Sequence, residues 1–113
     1  MTGFPKRGEV YYAEFPVDTK ARPAVVVSVN RRNELANTVI VVPVTTNPRP
    51  GITHVPLEAG DGGLERSSVA RCENIETLPK TRLSADRLGS PLSEQKMREI
   101  ERAICRAIGI PTV

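Results

Sequence analysis

Two nearly continuous apolar runs dominate the first half of the chain. The first covers residues 24–29 and directly follows Arg22 and Pro23, and the second covers residues 38–45 and ends at Thr45. Short apolar runs rich in β-branched side chains are typical of strands that are buried on both faces of a sheet. The pattern therefore predicts two core strands, one with a cation at its start and the other with a hydroxyl at its end.

Four further segments predict shorter strands. They are rich in β-branched or aromatic residues or alternate between apolar and polar positions, and most are separated by proline and glycine. By contrast, residues 30–37 are polar and charged, so they predict a connection and not a core helix. The four segments are residues 9–15, 53–57, 67–74 and, after a kink, 75–84.

The last part of the chain predicts a single amphipathic helix. Ser93 is placed as an N-cap, and Gly109 follows the last apolar position as a helix-ending glycine does. Leu92 before the cap and Met97 after it have the spacing of a hydrophobic staple. Apolar side chains three and four residues apart form a stripe that should pack on the sheet. The stripe consists of Met97, Ile100, Ile104 and Ile108.

Several short strands followed by one helix indicate a mainly β fold of the α+β type. The chain has 113 residues, of which 10 are proline and 8 are glycine. That length is enough for one domain, and proline at about twice its usual frequency favours turns over long helices. We expect a small barrel of short antiparallel strands with the C-terminal helix over one side, in a single domain spanning residues 1–113.

The amino-acid composition says little about the class of molecule that the protein binds. The net charge of +3 and the isoelectric point of about 9.2 favour an anionic partner, but a surface with a modest excess of scattered cations explains them equally well. Aromatic residues make up 4% of the chain and tryptophan is absent, which argues against a base-stacking surface. No apolar run has the length of a signal-peptide core or a membrane span. We therefore expect a cytoplasmic protein with no membrane partner.

The residue types argue against several catalytic classes. His54 is the only histidine, the cysteines and acidic residues lack metal-ligand spacing, and no serine has the G-x-S-x-G setting of a hydrolase. The glycine-rich loop at residues 60–63 lacks the lysine of a phosphate-binding loop. We expect no metal and no cofactor. We interpret Cys72 and Cys105 as reduced, small apolar core residues, with a disulfide as the alternative.

Arg22 and Thr45 remain as the candidates for chemistry. An arginine offers a planar, permanently charged fork that can bind phosphate with two hydrogen bonds, and a threonine hydroxyl can donate to or accept from the same group. If the two strand ends meet, the pair would form a phosphate site. A surface cation and a strand-end hydroxyl are, however, the commoner roles of such residues. His54 is also open to two interpretations, a proton shuttle or a structural hydrogen bond.

Six ordered segments of the chain carry short motifs, among them R-P-x-x-V-x-S at residues 22–28 and I-x-T-x-x-x-x-R-L at residues 75–83. They resemble the motifs of the MazF/PemK family of bacterial toxin endoribonucleases, also called mRNA interferases. Each match is short, but together they occur in the family's order and span most of the chain. The other four segments are residues 6–11, 42–46, 53–57 and 63–69.

The resemblance implies an SH3-like barrel with a C-terminal helix, a two-fold homodimer and a cognate antitoxin partner. It also implies metal-independent cleavage of single-stranded RNA, in which the ribose 2′-OH attacks the adjacent phosphate and leaves a 2′,3′-cyclic phosphate and a 5′-OH end. By motif, the family's catalytic arginine and threonine fall on Arg22 and Thr45. We also expect substrate contacts from Thr19, Lys20, Ser28, Thr46 and His54.

The chain departs from the family pattern in two places. Many members carry a longer G-S-E-x-G type loop before the R-P pair, where this chain has the short segment 16–21 with Thr19 and Lys20 as polar replacements. A glutamine is common before the I-x-T signature, where this chain has Asn74. Both positions bear on RNA sequence preference, so the preference of relatives does not transfer to this chain.

Two other functions stay open at this point. The same barrel occurs in a DNA gyrase poison without nuclease activity, which acts through C-terminal residues that wedge into the gyrase. Residues 108–113 of this chain contain no aromatic anchor for such a contact. An SH3-like interaction module would display an aromatic groove for proline-rich ligands, and aromatic residues are scarce here. We therefore rank both alternatives below the nuclease.

Overall fold

The computed structural model describes residues 3–17, 20–47 and 50–112. Within those ranges the chain forms six short strands and two α-helices, which agrees with the turn-rich sequence. The strands are β1 (Val10–Ala13), β2 (Arg22–Val26), β3 (Thr38–Thr45), β4 (His54–Leu57), β5 (Ser68–Arg71) and β6 (Glu76–Pro79), and the helices are α1 (Asn30–Leu35) and α2 (Glu94–Ala107).

The central strand of the sheet is β3, and all of its pairings are antiparallel. β2 pairs along one edge, with Val25 opposite Val42. On the other edge, β6 pairs with the first half of β3 and β5 pairs with its end, where Thr45 lies opposite Val69. β1 and β4 extend the sheet outside β2 and β5, so the order is β1-β2-β3-β5-β4 with β6 beside β3.

The two central strands are buried on both faces, as their apolar runs predict. In β2, Val25 packs into one hydrophobic cluster together with Ile100 of α2. Its neighbours Ala24 and Val26 point the other way, into a second cluster that contains Leu78 of β6. Because successive residues of a strand face opposite sides of the sheet, a strand between two cores needs apolar residues at every position.

Helix α2 begins and ends as the sequence predicts. Ser93 caps it, since its Oγ accepts a hydrogen bond of 3.1 Å from the backbone N–H of Lys96. Gly109 follows with a φ of 80°, in the left-handed region that glycine tolerates. The last member of the predicted apolar stripe, Ile108, lies beyond the end of the helix and is 63% exposed. The buried side chains of α2 are Met97, Ile100 and Ala103.

Residues 30–37 differ from the prediction, because they contain the short helix α1. Among its six residues Asn33 is buried, and its Nδ2 donates a hydrogen bond of 2.8 Å to the backbone carbonyl of Ser28. The helix is therefore anchored by a polar side chain and not by an apolar stripe. Hydrophobic periodicity does not detect a helix of that kind.

The strand predicted over residues 67–74 is divided into two parts. Its alternation continues as far as β5, with Ser68 and Ala70 buried, and Cys72–Asn74 then form a 3₁₀ turn. This turn lies where the neighbour of β3 changes from β6 to β5, and Pro43 occupies that part of β3. A proline has no N–H to donate to a ladder.

The predicted mainly β fold with a C-terminal helix is confirmed. Along the described residues the sheet does not close on itself, so the architecture is small-barrel-like; a bridge between Ala13 and Leu83 ties the end of β1 to the segment after β6. Cys72 and Cys105 are free thiols, and burial raises the pKa of Cys72 to about 12. Among the described residues, no helix has the length and apolar character needed to cross a membrane.

Candidate active site

Antiparallel pairing brings Arg22 and Thr45 to the same end of the sheet. The β2–β3 ladder ends with Ala24 opposite Pro43, and Arg22 and Thr45 each lie two residues beyond that pair along their own strands. Both residues line one cavity of about 500 Å³, which is within the size range of small-molecule sites. The structure thus brings together the two residues that the sequence singled out.

The hydroxyl of Thr45 is held in place and can still donate. Its Oγ1 accepts a hydrogen bond of 3.2 Å from the backbone N–H of Asn47, which orients the side chain at the end of β3. A hydroxyl that accepts one hydrogen bond keeps its own proton for another partner. Thr45 is half-buried and Arg22 is exposed, so a ligand can approach both from solvent.

Of the other predicted substrate contacts, the four that the structure describes do not line this cavity. Lys20 is exposed in the loop before β2 and lies outside the cavity lining. Thr19 lies outside the described residues. Ser28 is buried at the opposite end of β2, where its Oγ donates to Asn33 Oδ1 and accepts a hydrogen bond of 3.0 Å from the backbone N–H of Ile40.

Thr46 and His54 line a second, more apolar cavity of about 590 Å³. Thr46 is exposed directly after β3, whereas His54 is half-buried at the start of β4. His54 Nε2 lies 2.9 Å from Glu73 Oε2, and because an ionised carboxylate only accepts, the ring nitrogen is the donor. The structural hydrogen bond considered for His54 is therefore present.

Glu73 joins the histidine to the turn that follows β5. Burial acts to raise the pKa of Glu73, but hydrogen bonds from His54, from a backbone N–H and from Thr53 outweigh it and hold the pKa below its ordinary value. The Thr53 Oγ1 donates to Glu73 Oε1 at 3.0 Å. Glu73 is therefore a carboxylate at neutral pH.

Sequence reasoning missed three polar side chains of the first cavity, Asn47, Arg71 and Glu76. Asn74 also lines it, at the position where the family more often has glutamine. The signal available for Arg71 was its place on the more polar face of the alternating segment 67–74. The sequence does not show that this face of the segment lies beside Arg22 and Thr45, because that depends on the pairing of β5 with the end of β3.

The cavity carries more positive than negative charge. The guanidinium groups of Arg22 and Arg71 stand against the carboxylate of Glu76, with the amides of Asn47 and Asn74 as neutral polar groups. Such a lining suits an anion that also presents hydrogen-bonding groups. Among the described residues, no group of three or more His, Cys, Asp or Glu side chains is arranged to hold a metal ion.

Comparison with known proteins gives one consistent result. The model of a family described as PemK-like, MazF-like toxin of type II toxin-antitoxin system matches residues 6–108. The curated Endoribonuclease MazF of Staphylococcus saprophyticus is 36% identical over 115 residues, which cover 96% of this chain and 94% of that protein.

Solved structures agree with that match. A mycobacterial endoribonuclease in complex with its cognate antitoxin has a TM-score of 0.83 at 34% identity, over 96% of this chain and 99% of its own. The Mycobacterium tuberculosis toxin MazF-mt6 has a TM-score of 0.81 at 28% identity, over 92% of this chain and 99% of its own. This chain therefore belongs to the PemK-like, MazF-like family of type II toxin-antitoxin toxins.

Proposed function

We propose that this toxin endoribonuclease cleaves single-stranded RNA without a metal ion, through a single domain spanning residues 1–113. The ribose 2′-oxygen attacks the adjacent phosphorus and loses its proton, a P–O2′ bond forms, and the P–O5′ bond breaks. The leaving 5′-oxygen takes up a proton. The products are a 2′,3′-cyclic phosphate and a 5′-OH end, so no water is consumed and no cofactor is needed.

Arg22 stabilises the charge that develops on the phosphorane, either as a fixed cation or as the acid that protonates the leaving oxygen. A permanently charged fork aimed at the phosphate oxygens lowers the barrier because the charge grows as the reaction proceeds. Thr45 orients the phosphate by donating its hydroxyl proton to a non-bridging oxygen. This role is supported by the Asn47 N–H, which occupies the acceptor side of the Thr45 hydroxyl.

The observation that carries the proposal is the shared cavity. Arg22 and Thr45 come from the start of one strand and the end of its antiparallel neighbour, and both line the same basic concavity. A surface cation and an unrelated strand-end hydroxyl would not need to meet. The family match over residues 6–108 includes both positions, to which the family's motifs assign the catalytic arginine and threonine.

The partners follow from the family. A structural relative is described as an endoribonuclease in complex with its cognate antitoxin, and we propose that this chain likewise binds a cognate antitoxin and acts as a homodimer. We place its action in the cytoplasm, where its RNA substrate is. Of the residues outside the main cavity, Thr46 and His54 would contact nucleotides that flank the cleaved bond, and Lys20 would act from the loop before β2.

Incubation of the purified protein with a long RNA in EDTA tests this function. We expect cleavage at defined positions, and fragments that polynucleotide kinase labels without prior phosphatase treatment, because their 5′ ends carry hydroxyls. A short RNA that spans a mapped site and carries a 2′-O-methyl group on the attacking ribose should remain intact, while its unmodified twin is cut. The absence of cleavage at high protein concentration would overturn the nuclease and favour the gyrase-binding alternative.

A further inference from the structure

We propose that Glu76 is the general base of the cleavage reaction, the group that accepts the proton of the attacking ribose 2′-OH. The inference rests on the proposed function, since that reaction requires an acceptor for this proton. As the P–O2′ bond forms, the 2′-OH proton moves to a carboxylate oxygen of Glu76. As the P–O5′ bond breaks, the leaving oxygen takes a proton from water or from Arg22. Exchange with solvent then restores the starting protonation of the protein.

Among the described residues that line the cavity, only Glu76 offers a base near neutral pH. The other charged groups of the lining are the guanidinium groups of Arg22 and Arg71, which hold their protons throughout the pH range of folded proteins. The remaining polar side chains of the lining are a hydroxyl and two amides, which are not basic: Thr45, Asn47 and Asn74.

The carboxylate of Glu76 is free to accept that proton. Glu76 is half-buried at the start of β6 and makes no hydrogen bond or ion pair with any other described residue. By contrast, the carboxylate of Glu73 is already bonded to His54 and Thr53, and it lies outside the cavity lining. A carboxylate repels a phosphate, so Glu76 suits a group of the RNA that donates a proton. The ribose 2′-OH is such a donor.

The alternation of side chains directs Glu76 to the same face of the sheet as Arg22 and Thr45. Successive residues of a strand face opposite sides, so residues two or four positions apart face the same side. At these intervals each of the three residues is followed or preceded along its own strand by a member of the second hydrophobic cluster, to which α2 does not contribute. The cluster members are Leu78, Ala24 and Val41, respectively.

The order of the strands places Glu76 and Arg22 on opposite sides of β3, the strand that carries Thr45. Val41 of β3 pairs with Val26 of β2 on one edge and with Glu76 of β6 on the other. In an in-line displacement the attacking and leaving oxygens lie on opposite sides of the phosphorus. A phosphate oriented by Thr45 would therefore present its 2′-OH towards Glu76 and its leaving oxygen towards Arg22.

Single-turnover cleavage of a short RNA with one mapped site, measured as a function of pH, tests this role. The wild-type rate should fall towards acid pH, because a protonated Glu76 cannot accept a second proton. E76Q should cut about 100-fold more slowly at neutral pH, the scale of a positioned general base. Its rate should keep rising with pH as hydroxide replaces the missing base, and E76D should restore part of the loss.

E34Q is the matched control, because Glu34 is an exposed carboxylate of α1 outside the cavity lining. It should follow the wild-type pH profile. If E76Q cuts as fast as E34Q, or keeps the acid limb of the wild-type profile, the inference is wrong while the proposed function stands. If the wild-type protein does not cleave RNA, the proposed function fails and the inference falls with it.

Binding of a fully 2′-O-methylated RNA separates the proton transfer from recognition of a base. E76Q removes a charge that repels phosphates, so it should bind this RNA at least as tightly as wild type does. Weaker binding by E76Q, or a loss of cleavage confined to sites with one particular base, would overturn the inference and assign Glu76 to base recognition. Thermal denaturation shows whether E76Q is folded, and if it is not, a wild-type pH profile with unchanged rate for E76D would also contradict the role.

Discussion

The two ends of the β2–β3 pair each carry a hydroxyl side chain, but one hydroxyl is buried and the other lines a cavity. At one end, the hydroxyl of Ser28 is buried and bonded to Asn33 and to the backbone of β3. At the other end, the hydroxyl of Thr45 is half-buried and lines the candidate active-site cavity with Arg22. Thr45 is the last residue of β3 and Ser28 lies two residues beyond the end of β2, so each is a hydroxyl-bearing residue near the end of an apolar run.

The difference arises from what covers each end of the pair. After Ser28 the chain turns directly into α1, and Asn33 folds back onto Ser28 with hydrogen bonds to its hydroxyl and its carbonyl. After Thr45 the next described element is β4, and the join between β5 and β6 lies alongside. One end is therefore closed by its own polar groups, whereas the other remains a concave, charged surface.

Removal of the Arg22 or the Thr45 side chain should have the largest effect on RNA cleavage. We expect R22A and T45A each to lower kcat by about 10²–10³-fold, as the loss of one transition-state donor does. Both should melt within a few degrees of wild type, because neither side chain is part of the hydrophobic core. Single-turnover cleavage and thermal denaturation measure the two effects.

R31A is the matched control for the cavity residues, since Arg31 is an exposed arginine of α1 at the closed end of the pair. It removes the same charge as R22A and should cut like wild type. If R22A cleaves RNA as fast as R31A does, the catalytic assignment is wrong.

Disruption of the closed end should cost stability and not catalysis. N33A leaves the hydroxyl and the carbonyl of Ser28 without these partners in a buried position, which costs about 1–3 kcal/mol for each unsatisfied group. The melting temperature should fall by about 4–8 °C for each kcal/mol lost. Urea denaturation gives the free energy of unfolding, and cleavage is measured at a temperature where the variant is folded.

E34A provides the control for this variant, because Glu34 is the exposed neighbour of Asn33 in α1. It should change the free energy of unfolding by no more than about 0.5 kcal/mol. A normal melting temperature for N33A combined with lost cleavage would mean that the closed end takes part in the reaction after all.

Replacement of His54 should have the smallest effect of the three. His54 belongs to neither end of the β2–β3 pair, and it lies outside the cavity that Arg22 and Thr45 line. We expect H54A to raise KM by no more than about 5-fold with kcat unchanged, the scale of one partly exposed charged contact. H54Q retains a donor and should lie closer to wild type. A loss of kcat comparable with that of R22A would promote His54 to a catalytic role.

Much of the architecture could be read from the chain before the structure was known. The two apolar runs predicted the central strands, and the Ser93 cap, the staple and Gly109 predicted α2. The short ordered motifs indicated the family, which the comparisons show. These features depend on residues close together in sequence. Hydrophobic periodicity, turn residues and helix caps can therefore be recognised in one sequence.

The composition of the site was decided by tertiary structure. Arg22 and Thr45 could be named from the sequence, but their meeting depends on the register of β2 against β3. Ser28 was expected to contact the substrate, but it is buried and hydrogen-bonded to Asn33 of α1. Arg71 lies in none of the matched motifs. It lines the cavity because β5 replaces β6 as the neighbour of β3 beyond Pro43.

The sequence by itself thus determined which segments become strands or helix and which family the chain resembles, because hydrophobic burial and turn geometry are local demands. Only the tertiary structure decided which hydroxyl lines the cavity and which second arginine lines it with Arg22. The physical reason is that the environment of a polar side chain is set by residues far away in sequence. Helix α1 covers Ser28, whereas Thr45 lines a cavity with residues from the other strands and turns.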